Sequence, residues 1–213
     1  MVDVGGATTD VYSVVTPDPE ESVLHREVVE VLWRARTVEG DLGMRWSAPG
    51  VIDAAVQARL LEHPDDAELT RLHAAAQQRS DDVGFLASTS PEPMQAADDD
   101  ALLAHLALTL ALRRHAAPSE YGDEVRTRGR DLREVSLVVG SGGVFRYAEP
   151  QRLSYMLEPA RSDFGGGWLV PEHATLVIDK QYVLAAAGLL ADDHREAAMR
   201  VLRTELVDKG RVD

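Results

Sequence analysis

Residues Asp3-Val4-Gly5-Gly6-Ala7-Thr8-Thr9 place a carboxylate at the end of an apolar stretch, just ahead of two glycines and two hydroxyls. This set suits a magnesium-bound nucleotide. Gly5 and Gly6 let the backbone come close to a ligand, and their N–H groups can face phosphate oxygens. Thr8 and Thr9 can add hydroxyl donors, while Asp3 would act through the water shell of Mg2+ or orient an attacking water. A glycine-rich hairpin turn without chemistry fits the same spacing. A second string, Gly140-Ser141-Gly142-Gly143, also follows a strand-like run. Glycine loops at strand ends along one edge of an α/β sheet are where ligands bind, although a tight strand-to-helix junction would read the same way.

The elements needed to hold these loops are legible as periodicity. Val2 to Val4 and Asp10 to Val15 are β-rich, and Val28 to Val38 follows after a polar connection, which predicts an antiparallel meander. Ser47 and Pro49 mark a helix entry before Val51, Ile52, Ala55, Val56 and Leu60 recur at helical spacing. Pro64 to Arg79 reads as a small helix weakly anchored by Leu69 and Leu72, within an insertion at about 61–97. A strong helix then runs from Asp98-Asp99-Asp100 to Arg113-Arg114-His115, with acids and bases at the ends that suit its dipole. Its leucines wrap most of its circumference, so it should be packed on several sides. Val135 to Val139 is a buried strand entering the second glycine loop, and Thr175 to Ile178 is another strand. A helix from about Gln181 to Leu206 follows.

Composition narrows the function classes. The 213 residues carry 22 Lys+Arg against 36 Asp+Glu, a formal charge of -14, which disfavours nucleic acid and anionic membranes as partners. A nucleotide held by backbone amides and a metal ion is compatible with that charge. There is no cysteine, which excludes disulfides and thiolate chemistry and is compatible with a cytoplasmic setting. Seven histidines are scattered without metal-ligand spacing, as surface residues would be. The apolar run from Ala101 to Leu112 is too short to cross a bilayer, which takes about 20 residues. Arg36, Arg45 and Arg146 read as salt-bridge partners rather than transition-state cations, and Asp163-Phe164-Gly165-Gly166-Gly167 reads as a loop.

The string Val2-Asp3-Val4-Gly5-Gly6-Ala7-Thr8-Thr9-Asp10-Val11 resembles the second phosphate motif of the actin, heat-shock chaperone and sugar-kinase superfamily. Val138-Val139-Gly140-Ser141-Gly142-Gly143-Val144-Phe145-Arg146 resembles its adenosine motif. With Thr37-Val38-Glu39-Gly40-Asp41-Leu42-Gly43-Met44-Arg45 between them, and the stretch from Asp179 to Leu190, the chain resembles the MutL or GlmL family. Those are accessory proteins of the coenzyme-B12-dependent glutamate mutase, unrelated to the mismatch-repair protein of the same name.

The resemblance implies an α/β, ribonuclease-H-like fold of the actin-type ATPase: a mixed sheet with three antiparallel strands first, then strand-helix units, and helices on both faces. It implies that Asp3, Gly5, Gly6, Ala7, Thr8 and Thr9 hold the β- and γ-phosphates and Mg2+. Gly140, Ser141, Gly142 and Gly143 would lie against the adenosine of ATP. Glu39, Gly43 and Arg45 are candidates for ribose or phosphate contact, with a surface loop and an ion pair as the other reading. Residues 1–213 would form the second ATPase domain. The first, N-terminal ATPase domain is expected outside this chain, which by itself should then be inactive. The implied role is an accessory, reactivating ATPase for B12-dependent mutase subunits. An ATP-using enzyme of the hydantoinase or sugar-kinase type, or an interaction domain with a degenerate nucleotide site, are the alternatives.

Overall fold

A computed structural model describes residues 1–15, 34–61, 64–116, 130–163 and 167–212. The expected meander is there. Strands β1 (Val2–Val4), β2 (Thr9–Val14) and β3 (Arg34–Glu39) pair antiparallel in sequence order. Of the third β-rich stretch, residues 28–33 lie outside the described residues. Strand β4 (Leu137–Ser141) joins β1 in parallel, β5 (Thr175–Ile178) joins β4 in parallel, and a short β6 (Arg211–Val212) closes the edge antiparallel. The six-stranded mixed sheet has the order β3-β2-β1-β4-β5-β6. Three parallel strands therefore end at one edge, and each is followed there by one of the chain's chemically distinctive segments.

One face of the sheet carries the main core. Val2, Val4, Val11 and Val138 alternate inward, as period-two strands must, against the long helix. After α1 (Ala48–Gln57) and α2 (Asp66–Asp81), that helix is α3 (Pro93–Ala116). It begins five residues ahead of Asp98 because Pro93 sits in its first turn, where a missing N–H costs nothing. It packs against β1, β2 and β3, against α1, and against α5 (Pro150–Leu157) and α6 (Pro159–Ser162), with Leu103, Leu106, Leu108, Leu110 and Leu112 all buried. Among the described residues no helix is long and apolar enough to cross a membrane.

The opposite face is covered unevenly. Val139, Val177 and Leu206 form a small second core with Val183, Leu184 and Leu202, beneath α7 (Val183–Ala191), α8 (Arg195–Val201) and a π-helical turn (Leu202–Asp208). Over β2 and β3 the same face leaves Tyr12, Val14 and Val38 exposed, so helices flank only part of it among the described residues. The single helix expected from Gln181 to Leu206 is two helices and a turn, broken at Asp192, Asp193 and His194, where polar side chains interrupt the apolar run.

Two further expectations are corrected. Helix α2 is not weakly anchored: beside buried Leu72 and Ala76 it sinks Arg79 completely. The Arg79 guanidinium bonds Asp100 at 2.6 Å and the carbonyls of Ala75 and Ala96, and lies 4.8 Å from the Phe85 ring centroid. A period scan counts such a residue as surface because it is charged.

His115, read as a surface residue, is buried between α3 and the meander. Its Nδ1 lies 2.9 Å from the Thr37 hydroxyl and its Nε2 2.8 Å from the Ser13 hydroxyl. Burial, with the Arg130 charge nearby, pushes its pKa down from 6.5 to about 4. Between those two values the unfolded chain takes up a proton that the folded chain refuses, so stability falls as pH drops from 6.5 towards 4. Denaturant midpoints measured at both ends of that window should show the loss in the parent, and a smaller loss in His115→Gln. Equal slopes for the two proteins would remove His115 as the cause.

Candidate functional site

The candidate site is at the edge where β1, β4 and β5 end. Asp3 lies in β1 opposite Asp10 of β2 and beside Ser141 of β4. It points away from the core formed by its neighbours Val2 and Val4, half buried on the second face. Burial raises its pKa above the ordinary value, the Ser141 hydroxyl bonded to it pulls the other way, and the charges of Asp10 and Asp179 push it up further.

Asp179 follows β5 immediately and is buried. Its carboxylate accepts from the amides of Val183 at 2.7 Å and Leu184 at 3.0 Å, so it caps the start of α7. Its own amide donates to the Gly140 carbonyl at 3.0 Å, which locks this turn to the second glycine loop. Asp10 is neutralised by Arg36, whose Nη2 lies 2.8 Å from Oδ1, and it also accepts from the Thr8 hydroxyl at 3.0 Å.

The first glycine loop is held mostly by its neighbours. The Gly5 amide donates to the Thr8 carbonyl at 2.9 Å, within the loop. Residues 43–45 run alongside as a strap, with the Met44 amide on the Gly5 carbonyl at 2.9 Å and the Arg45 amide on the Gly6 carbonyl at 2.7 Å. Gly43 makes this approach possible, since a Cβ there would stand 2.4 Å from the Ala7 carbonyl carbon. Thr9 is buried and its hydroxyl donates to the Leu42 carbonyl at 2.5 Å, so it braces the strap and has no proton left for a phosphate. Ser47 stands at the α1 N-cap position but does not cap it. Its hydroxyl lies 2.7 Å from the Ala7 carbonyl and 2.9 Å from the Gly40 carbonyl, so it ties α1 to the loop.

With both threonine hydroxyls and the Gly5 amide spent internally, the outward donors are backbone. Among the described residues, the amides of Gly6, Ala7 and Thr8 have no hydrogen-bond acceptor. Ala7 is exposed, and the Trp46 ring covers one side of Gly6. The second loop meets the first directly. Gly142 has φ of 118° and its Cα hydrogen faces the Val4 carbonyl, whereas a Cβ on Gly143 would have nothing within 4 Å. Gly143 opens the one-turn helix α4 (Gly143–Arg146) towards open space.

The Glu39, Gly43 and Arg45 trio does not converge on that space. Glu39 pairs with Arg114 at 2.8 Å, and the same guanidinium grips Asp41 with both branches. Arg45 turns towards the helical segment and bonds the Met44 and Phe85 carbonyls at 2.7 and 3.1 Å. Arg146 is stacked between the rings of Tyr147 and Tyr182, beside the second loop. Asp163 is clamped by Arg113 at 2.6 Å, and residues 164–166 lie outside the described residues.

An Mg-nucleotide fits this donor set. The open amides at residues 6–8 would meet phosphate oxygens, and a cation beside Asp3 would offset the burial and, after it, the repulsion from Asp10 and Asp179 that raise its pKa. Among the described residues no group of three or more His, Asp or Glu side chains converges as a ligand cage. Asp3 would hold the metal through water, the usual habit of Mg2+. Sequence does not single out Asp10, Asp179 or Trp46 for the site, and it reads Ser47 only as a helix-entry residue. Asp179 had one legible signal, an acid directly after a buried strand, just as the glycine loops follow theirs.

Comparison with known proteins adds the lineage. A family described as MutL protein matches residues 1–206. The protein MutL of Clostridium tetanomorphum is 32% identical over 213 residues, covering 97% of this chain and 45% of its own length. The chain thus spans about half the length of that curated relative. No solved structure matches.

Proposed function

The chain belongs to the MutL family, and from that premise we propose that it is the second, Mg-ATP-binding half of an actin-like ATPase that reactivates a coenzyme-B12-dependent glutamate mutase. The observation that carries the reading is Asp3, set between two glycine loops that touch through Gly142 and Val4. The strand order, with an antiparallel meander followed by parallel β4 and β5, supports a ribonuclease-H-like domain. Here Gly6, Ala7 and Thr8 offer amides to the phosphates, Asp3 orients the metal's water shell, and Gly143 leaves room for the nucleoside. Bound magnesium would supply charge neutralisation at the phosphates. A partner domain, supplied where this chain is part of a longer protein, would close on the same ligand and pass that closure to the mutase subunits.

A non-catalytic interaction domain is the second reading. One observation favours it: Thr9, Glu39 and Arg45 all direct their polar groups into the protein itself. Calorimetry of a longer protein containing both halves, titrated with Mg-ATP, separates the two. We expect micromolar binding there, and binding at least about 100-fold weaker by the 213-residue chain alone. No heat with the longer protein would remove the ATPase reading and leave the interaction domain. Restoration of an inactivated mutase by that protein with Mg-ATP, but not with ATP and a chelator, tests the client.

A further inference from the structure

Trp46, Val83, Leu86 and Met94 are 63%, 47%, 58% and 74% exposed on the helical segment beside the first glycine loop. They are mounted on well-bonded backbone. The Ser80 hydroxyl donates to the Trp46 carbonyl at 3.3 Å, and Arg45 bonds the Phe85 carbonyl at 3.1 Å. The Phe85 amide closes a turn on the Asp82 carbonyl at 3.0 Å, and the Thr89 amide another on Leu86 at 3.0 Å. Phe85 itself is buried against Arg79, so Val83 and Leu86 stand outward on either side of an anchored residue. Met94 lies in the first turn of α3, against which the short turn Ala87–Thr89 packs. Trp, Leu, Val and Met side chains left in water on backbone that is bonded together are the composition of a docking site rather than of ordinary surface.

Charge indicates what would cover it. From Ser80 to Ala97 there is no Lys or Arg, Asp81, Asp82 and Glu92 are exposed in that stretch, and the Arg45 guanidinium next to Trp46 is turned onto the Met44 and Phe85 carbonyls. Among the described residues these three acids form no ion pair. A second copy, also at -14, would set like charges against them. We propose that this patch docks a basic, amphipathic segment of a partner protein, with apolar side chains on Trp46, Val83, Leu86 and Met94 and Lys or Arg against those three acids. Trp46 leans on Gly6, and the Arg45 amide holds the Gly6 carbonyl, so an occupant of the patch contacts the first glycine loop through one residue. The inference does not depend on the nucleotide reading.

The test uses a synthetic peptide with leucines on one helical face and lysines on the other, plus a control of equal charge with serine in place of leucine. Binding is read by calorimetry and by Trp46 fluorescence, with Trp46→Phe as the blank. The leucine peptide should bind about tenfold more tightly than its control. Leu86→Ser with Met94→Ser should remove that difference, while Val14→Ser, on the open face of the sheet, should leave it unchanged. Equal affinity for both peptides, or an unaltered preference in the double variant, would overturn the proposal. So would self-association in the ultracentrifuge that the double variant abolishes, since the occupant would then be a second copy.

Discussion

Asp3→Asn is expected to raise the thermal midpoint of this chain and, in a longer protein carrying both proposed halves, to lower the proposed nucleotide turnover by roughly 100-fold or more. The two effects share one cause. The Asp3 carboxyl is more reluctant to ionise in the folded protein than its ordinary value of 3.8, because it is partly buried and faces Asp10 and Asp179. Above that ordinary value the unfolded chain releases the proton more readily than the folded one. Ionised Asp3 therefore costs folding free energy, a cost that grows as pH rises through the folded pKa and then stays constant. Asparagine removes the charge and can still accept the Ser141 hydroxyl. What it cannot do is hold a cation's water shell, which is the role proposed for Asp3. Circular-dichroism melts at pH 7 and phosphate release are the measurements. A lower midpoint would contradict the electrostatic account of the site, and turnover within a few-fold of the parent would contradict the proposed role.

Which parts of this were legible in the sequence follows from what local pattern encodes. The strands Val2–Val4 and Thr175–Ile178 were read to the residue because each is a short apolar run bounded by turn formers. The long helix was read for the same reason, an apolar stretch too long for a strand. Helices α5 and α6 gave no such signal, being short and rich in polar residues, and β6 has only two residues. Both glycine loops were visible as composition. Nothing in composition, however, tells where a hydroxyl or guanidinium points.

That gap explains the site's differences from expectation. Thr9 was read as a phosphate ligand because it is a hydroxyl in a glycine loop, yet it falls on the inward face of β2 with Val11 and Ser13. Strand alternation decides its direction, and counted from Val11 it was recoverable. Arg45 and Glu39 are candidates through the family resemblance, which carries no information on where their side chains turn in this chain. Their partners, Phe85 and Arg114, are 40 and 75 residues away. His115 and Arg79 carry charge-type side chains into the interior, where Ser13 and Thr37 meet the first and Asp100 and the Ala96 carbonyl meet the second from distant parts of the sequence.

The two glycines at positions 142 and 143, indistinguishable as sequence, should answer the same substitution in opposite ways. Gly142 has φ 118° and ψ 158°, a region open essentially to glycine alone, and an added Cβ would sit 2.3 Å from the Val4 carbonyl oxygen. Neither atom can step aside, because Val4 is fixed by its pairing with Thr9 in the sheet. Gly142→Ala is therefore expected to destabilise the fold by about 3 kcal/mol or more. That corresponds to a drop in midpoint of the order of 10 °C for a chain of this size. At Gly143 the added methyl meets nothing within 4 Å, and the residue is already helical. Gly143→Ala should shift stability by no more than about 0.5 kcal/mol, in the stabilising direction if at all. Its effect should appear instead in a longer protein carrying both proposed halves, where the methyl would occupy the space proposed for the nucleoside and weaken the proposed ATP binding. Chemical denaturation of both variants checks the first contrast and calorimetry the second. If Gly142→Ala melted with the parent, the contact between the two loops through Val4 would be wrong, and with it the geometry that brings Asp3 and the second glycine loop to one site.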